Sequence, residues 1–119
     1  MRATKLSQFA AGSVGPVKFE ANVLTVALSS GVVVSFNDPI GFRILDEGDL
    51  LEFWPACASP HGSGLFEIHD GGWLHQESMR KGFLSATVWP ALREFLVTGA
   101  DDCASVLSVN DPVVQSSAV

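Results

Sequence analysis

Three side chains near a pair of glycines could take part in chemistry. Glu67, His69 and His75 flank the segment Asp70-Gly71-Gly72, whose composition is typical of a tight turn between two strands. With a three-residue loop, Glu67 lies opposite His75 and His69 lies opposite Trp73, on one face of the hairpin. With a two-residue loop, the register shifts and His75 moves to the other face. The first register gathers the residue types of a small metal site or an acid–base pair.

The simpler interpretation of these residues is a polar, solvated face with an exposed ion pair. Three ligands with no supporting shell do not make a metal site, so we predict no metal and no cofactor. Glu67, His69 and His75 remain weak metal candidates. The sequence has no GxSxG turn, no phosphate-binding loop and no GxGxxG segment, and we therefore predict no catalytic residues and no enzyme activity.

An acidic block offers a second kind of chemistry, recognition by charge. Its four carboxylates fall within seven residues: Asp46, Glu47, Asp49 and Glu52. Like charges on a turn repel one another, and an approaching basic surface relieves that repulsion. The aromatic residues Phe53 and Trp54 follow directly, and either one fills the core or provides an apolar anchor for a partner. Asp101-Asp102 extends the same negative surface if the strands bring the two segments together.

Composition narrows the classes of partner. The 119 residues include 13 acidic and 7 basic side chains, for a net charge of −6, which disfavours nucleic acid because phosphate binding depends on Lys and Arg. No stretch approaches the roughly 20 apolar residues that cross a bilayer, so we predict no membrane association. Cys57 and Cys103 lack metal-ligand spacing, and we expect both to be reduced thiols in a cytoplasmic protein.

Alternation with a period of two predicts most of the elements that would hold these residues. Val17–Leu28 and Val32–Phe36, joined by Ser29-Ser30-Gly31, form the clearest hairpin. Further strands are predicted at 41–45, 50–54, 65–69, 73–76 and 93–97. The segment 103–109 is either a strand or a helix capped by Asp101.

Evidence for helix is limited to two short segments. Leu6, Phe9 and Ala10 have helical spacing, and 77–81 could form one turn before Gly82. The sequence therefore predicts a mainly β protein, an antiparallel sandwich or rolled sheet with one or two short helices. We expect a single domain over 1–119, with a core at about 17–110 and frayed termini.

Three segments carry a resemblance to a known group of proteins. They are Gly41–Leu50, Gly71–Leu74 and the late run Phe95-Leu96-Val97, which is followed by Cys103 and Val106-Leu107-Ser108. Across about residues 17 to 110 the chain resembles small bacterial immunity proteins of polymorphic or contact-dependent toxin systems. That resemblance implies a non-enzymatic cytoplasmic protein that binds and neutralises a toxin domain. It assigns no functional residue.

Three functions remain open on these grounds. The first is an immunity-type protein that binds a basic toxin domain through Asp46, Glu47, Asp49, Glu52 and Trp54. The second is a self-associating structural β domain, a homodimer paired through sheet edges or apolar patches. The third, and least favoured, is a small metal-binding enzyme that uses Glu67, His69 and His75.

Overall fold

A computed structural model describes residues 2–10, 12–46 and 63–116. Within these ranges the chain forms nine strands and two short helices. The strands are β1 Arg2–Phe9, β2 Val14–Glu20, β3 Val23–Leu28, β4 Val32–Asn37, β5 Gly41–Asp46, β6 Ser63–Asp70, β7 Arg93–Thr98, β8 Asp102–Ser108 and β9 Val113–Ser116. The helices are α1 Trp73–Ser78 and α2 Ser85–Val88.

The strands form two antiparallel sheets, which confirms the predicted mainly β sandwich. The five-stranded sheet has the order β1-β6-β7-β8-β5, and the four-stranded sheet has the order β2-β3-β4-β9. The first and last strands of the chain are thus both edge strands. The described ranges contain no helix with the length and apolar character needed to cross a membrane.

The main core lies between the two sheets, because alternate side chains of each strand point toward the other sheet. Phe36 on β4 meets Phe95 on β7, with ring centroids 5.8 Å apart. Both rings are fully buried, and burial of such a side chain stabilises the fold by about 1.5–3 kcal/mol. The same cluster includes Leu24, Val26, Leu28, Val34, Val97, Ala104 and Val106.

The structure confirms the β3–β4 hairpin. It also shows that the predicted strand segment Val17–Leu28 contains parts of two strands, β2 and β3. Gly31 adopts a φ of 96° in the turn, a conformation that glycine reaches without steric cost. The prediction of one continuous strand over Val17–Leu28 was wrong, because β2 ends at Glu20 and the chain turns at Ala21 and Asn22. Both turn residues have positive φ, as two-residue hairpin turns require.

Strands form near both ends of the described residues. The spacing of Leu6, Phe9 and Ala10 predicted a helix, but residues 2–9 form β1 and pair with β6. Only one of the three side chains, Phe9, is buried, so the periodicity came from too few core residues to define a helix. At the other end, β9 pairs with β4 from Ser35↔Val113 to Val32↔Ser116.

Three further predictions concern strands after β5. The segment 103–109 was left open as strand or helix; residues 103–108 lie in β8, which pairs with β5 and β7. The predicted strand 73–76 was wrong, because Trp73–Ser78 is the helix α1. The predicted strand 50–54 lies outside the described residues.

Candidate protein-binding surface

The acidic residues at the ends of β5 and β8 form one negative surface. Asp46, the last residue of β5, pairs directly with Asp102, the first residue of β8. Asp46 and the neighbouring Asp101 are exposed, and Asp102 is half-buried. The strand order therefore brings together carboxylates that are far apart in the sequence. This is the arrangement that would let Asp101-Asp102 extend the negative surface of Asp46. We call Asp46, Asp101 and Asp102 the acidic end.

The described ranges do not include the other predicted partner-binding residues. Glu47, Asp49, Glu52 and Trp54 lie outside the described residues, as does Cys57. Their role in binding stays a prediction, and so does the choice between core and surface for Trp54. Asp46 is the one member of the acidic block whose position is described.

An apolar cluster lies at the rim of the sandwich beside β5. Phe42 and Ile44 are on the same face of β5 as Asp46, because they precede it by four and two residues. Phe19 on β2 contacts Phe42 across the gap between the sheets, with ring centroids 5.7 Å apart. The three side chains are 51%, 38% and 41% exposed for Phe19, Phe42 and Ile44. We call these residues the rim cluster, and the sequence analysis did not single them out.

Glu67, the first weak metal candidate, is held by an arginine. Arg93 Nε and Nη2 donate to the two carboxylate oxygens of Glu67 at 2.9 and 3.0 Å. Arg93 also donates to Asp111 and lies over the ring of Phe95, 4.8 Å from its centroid. The hydrogen bond from Arg93 lowers the pKa of Glu67 below its usual 4.5, despite partial burial. Glu67 is therefore an ionised partner in a structural ion cluster.

The structure brings the two histidines to one pocket that does not include Glu67. The predicted hairpin was wrong: β6 ends at Asp70 and α1 begins at Trp73. His69 Nε2 is hydrogen-bonded to Thr4 Oγ1 at 2.6 Å. His69 and His75 line a small pocket of about 120 Å³, whose lining does not include Glu67. The described residues contain no group of three or more metal-ligating side chains.

Glu94 explains why a helix replaces the predicted strand. Its side chain is 1% exposed, and its carboxylate oxygens accept the backbone N–H groups of Trp73 at 3.2 Å and Leu74 at 2.9 Å. These N–H groups lie in the first turn of α1, where a helix has no internal acceptor for them. The carboxylate also lies against Gly72, where a Cβ would meet Glu94 Oε1 at 2.7 Å and Oε2 at 2.9 Å.

Burial raises the pKa of Glu94, and this effect outweighs the two backbone hydrogen bonds and the charge of Arg43, which lower it. Glu94 was not predicted from the sequence as a functional or structural site. The available signal was an acidic side chain directly before the apolar run Phe95-Leu96-Val97, in a strand buried on both faces.

A second pocket lies between α1, α2 and the start of β5. The guanidinium of Arg43 stacks on Trp73, 4.7 Å from the ring centroid, and Trp73 Nε1 donates to Glu77 at 3.2 Å. The pocket has a volume of about 480 Å³ and is open to solvent, with Phe83 and Leu84 in its lining. Mixed apolar and charged walls of this kind can accept a side chain of a partner protein.

Comparison with known proteins found no match to a family model, a curated protein or a solved structure.

Proposed function

We propose that this chain is a non-enzymatic protein-binding domain that binds a basic partner through the acidic end. The observation that carries the proposal is the direct pairing of Asp46 with Asp102 at the edge of the five-stranded sheet. Like charges opposite one another on adjacent strands destabilise a sheet. A surface rich in Lys and Arg relieves that repulsion when it binds. The repulsion that is relieved then adds to the free energy of binding.

Charge of this kind acts mainly on the rate at which partners meet. Complementary fields steer diffusing proteins toward one another, and the effect weakens as salt screens it. The chain as a whole carries −6, which adds to the local field. Phe42 and Ile44 of the rim cluster lie on the same strand and face as Asp46, where they can add contact area beside the charged contact.

We further propose that the partner is a toxin domain and that the chain acts as a cytoplasmic immunity protein. The resemblance described above supports this choice, and the acidic charge suits a basic toxin. Neutralisation would then occur by occlusion of the toxin surface. It would require neither a cofactor nor a catalytic residue on this chain.

The test begins with identification of the partner. The wild-type chain is chemically cross-linked to its partner in the source cell, and the partner is then purified so that its association rate can be measured over a range of salt concentrations. The double variant Asp101→Asn/Asp102→Asn removes two charges from the acidic end. We expect association about 3–10-fold slower at low salt, with a shallower salt dependence.

The matched control is Asp38→Asn/Glu20→Gln, which removes two exposed carboxylates away from the acidic end. Asn tolerates the positive φ of 50° at Asp38, and the exposed ion pair of Glu20 with Lys18 contributes little to stability. Equal slowing by both variants would show that only net charge matters and would remove the acidic end from the mechanism. If co-expression of the chain fails to suppress the toxicity of the bound partner, the immunity role is excluded.

A further inference from the structure

Helix α1 is attached to the five-stranded sheet through its first turn. Glu94 on β7 accepts the backbone N–H groups of Trp73 and Leu74, and the Trp73 ring stacks with Arg43 on β5. The N-cap residue is Gly72, which has no side chain to accept these N–H groups in place of Glu94. All six residues of α1 are described, and none of them is fully buried. A helix this short is not stable alone in water, so its position depends on these contacts.

The carboxylate of Glu94 is packed directly beneath the start of α1. Its side chain is 1% exposed, and a Cβ on the buried Gly72 would lie 2.7 Å from both Glu94 Oε1 and Ile68 Cγ2. Glycine at this position therefore lets the backbone approach closely enough for the two hydrogen bonds. Docking of α1 removes Glu94 from bulk water, and release of α1 would return it to water.

This burial couples the position of α1 to a proton. A carboxylate that is taken out of water holds its proton more tightly than a hydrated one. Burial accordingly raises the pKa of Glu94 above its ordinary value of 4.5, although the two N–H groups and Arg43 lower it. By linkage, protonation favours the state in which the proton is held more tightly. Protonation of Glu94 therefore favours docked α1, and its ionisation favours release.

We propose that Glu94 is a pH-sensitive switch for α1, which is docked when the carboxyl is protonated and is released more often when it is ionised. The switch acts on both pockets described above, because α1 forms a wall of each. Trp73 and Glu77 line the larger pocket, and Leu74 and His75 line the smaller one. The proton on Glu94 thus sets the fraction of molecules that present these pockets. This proposal does not depend on the partner proposed above.

Other charged and titratable groups face Glu94 from the neighbouring elements. Arg43 on β5 interacts with its charge, and three further groups line the same small pocket: His69 and Asp70 on β6, and His75 on α1. The acidic residue of α1, Glu77, forms an ion pair with Arg80. Histidine side chains in general change charge between about pH 5 and pH 8, so the two histidines compete with Glu94 as the origin of a pH effect. The test therefore includes variants of both.

The wild-type chain is tested first, by NMR between about pH 4 and pH 8. The amide protons of Trp73 and Leu74 should shift with a common midpoint above 4.5, because both are hydrogen-bonded to the same carboxylate. Their protection from hydrogen exchange, corrected for the intrinsic pH dependence of exchange, should fall as the pH rises. The limit is about tenfold for each unit by which the pKa of docked Glu94 exceeds that of the released state.

The amide of Val26, in the fully buried part of β3, serves as the reference for opening of the whole fold. If Trp73 and Leu74 show the protection and pH dependence of Val26, α1 opens only with the rest of the molecule and the proposal is wrong. The absence of a common midpoint above 4.5 also overturns it.

Three variants identify the titrating group. Glu94→Gln keeps an oxygen acceptor but removes the titration, so the pH dependence of protection in α1 should disappear. His69→Gln and His75→Gln should retain it. If Glu94→Gln retains the pH dependence, or if either histidine variant abolishes it, Glu94 is not the switch.

Two glycine variants test the close contact itself. A Cβ at Gly72 would overlap the Glu94 carboxylate, whereas at Gly82 the nearest atom is Arg80 Nη1 at 3.3 Å, the end of a flexible side chain. We expect Gly72→Ala to lower the protection of Trp73 and Leu74 about tenfold even at acidic pH, because overpacking displaces α1. Gly82→Ala is the matched control and should leave it nearly unchanged. Equal protection in the two variants would show that contact with Glu94 does not hold α1, and would overturn the proposal.

Discussion

The two ends of the five-stranded sheet differ in how their charged side chains are arranged. At one end, Arg93 bridges Glu67 and Asp111, so that opposite charges meet in a partly buried cluster. At the other end, Asp46 and Asp102 bring two like charges together. Opposite charges in contact stabilise a fold, whereas like charges side by side at a surface weaken it and attract a partner of the opposite charge. The contrast therefore separates charges that serve the structure from charges available for recognition.

The largest effect on stability is expected from a substitution that breaks the ion cluster of Arg93 with Glu67 and Asp111. Arg93→Met removes the cation that pairs with the mostly buried carboxylate of Glu67. It also removes the ion pair between Arg93 and Asp111. We expect the free energy of unfolding to fall by about 2–3 kcal/mol, which is below the value for a fully buried pair because both side chains keep some contact with water. Chemical denaturation measures the change.

The control for this prediction is Arg80→Met. Arg80 pairs with Glu77 three residues earlier, and its side chain is 61% exposed. Such a surface pair contributes less than about 1 kcal/mol. If both variants lose the same stability, the distinction between a structural cluster and a surface pair is wrong.

The second prediction concerns how the stability contributed by Glu67 and by Glu94 depends on pH. Glu67 has a lowered pKa, so its stabilising contribution is complete above its ordinary value of 4.5 and is lost as the pH falls through the lowered value. Glu94 has a raised pKa, so its contribution is complete below 4.5 and is lost as the pH rises through the raised value. The two carboxylates thus give stability slopes of opposite sign on opposite sides of pH 4.5.

Measurement of the free energy of unfolding between about pH 3 and pH 8 tests this prediction. Glu67→Gln should flatten the loss of stability on the acidic side, and Glu94→Gln should flatten the loss as the pH rises above 4.5. Parallel curves for the wild type and Glu94→Gln would show that the buried carboxylate does not titrate differently on unfolding.

The smallest effect is expected at the acidic end. Asp102→Asn removes one of two facing like charges, and we expect the free energy of unfolding to rise by about 0.3–0.5 kcal/mol at low salt. The gain should disappear at high salt because screening already weakens the repulsion in the wild type. A loss of stability would show that Asp102 is a structural residue, like Glu67.

Local patterns predicted the elements whose stability is local. The β3–β4 hairpin followed from alternation and from Ser29-Ser30-Gly31, and β5 and β7 were found at nearly their observed positions. Alternation worked for the hairpin because each of its strands has one face in the main core, as for Leu24 and Val26. The possible link between Asp101-Asp102 and the acidic block also followed from sequence, although only the strand order could place it.

Elements stabilised by distant residues could not be predicted. The helix α1 is short and follows two glycines, and its first N–H groups are satisfied by Glu94 from a strand about twenty residues later. The same distant contact moved His75 out of the predicted hairpin and removed the basis for a site with Glu67. The rim cluster was equally hidden, because Phe19 and Phe42 meet only when the two sheets stack.

The positions of β1 and β9 in the sheets have a consequence for the order in which the chain folds. β1 pairs with β6, so residue 2 can pair only after residue 70 has been synthesised. β9 likewise closes on β4, which is complete some eighty residues before it. During synthesis at about 5–20 residues per second, β1 therefore remains unpaired for several seconds. Such long-range pairing favours slow folding, and the irregular edge of β1 reduces the risk of aggregation during that interval.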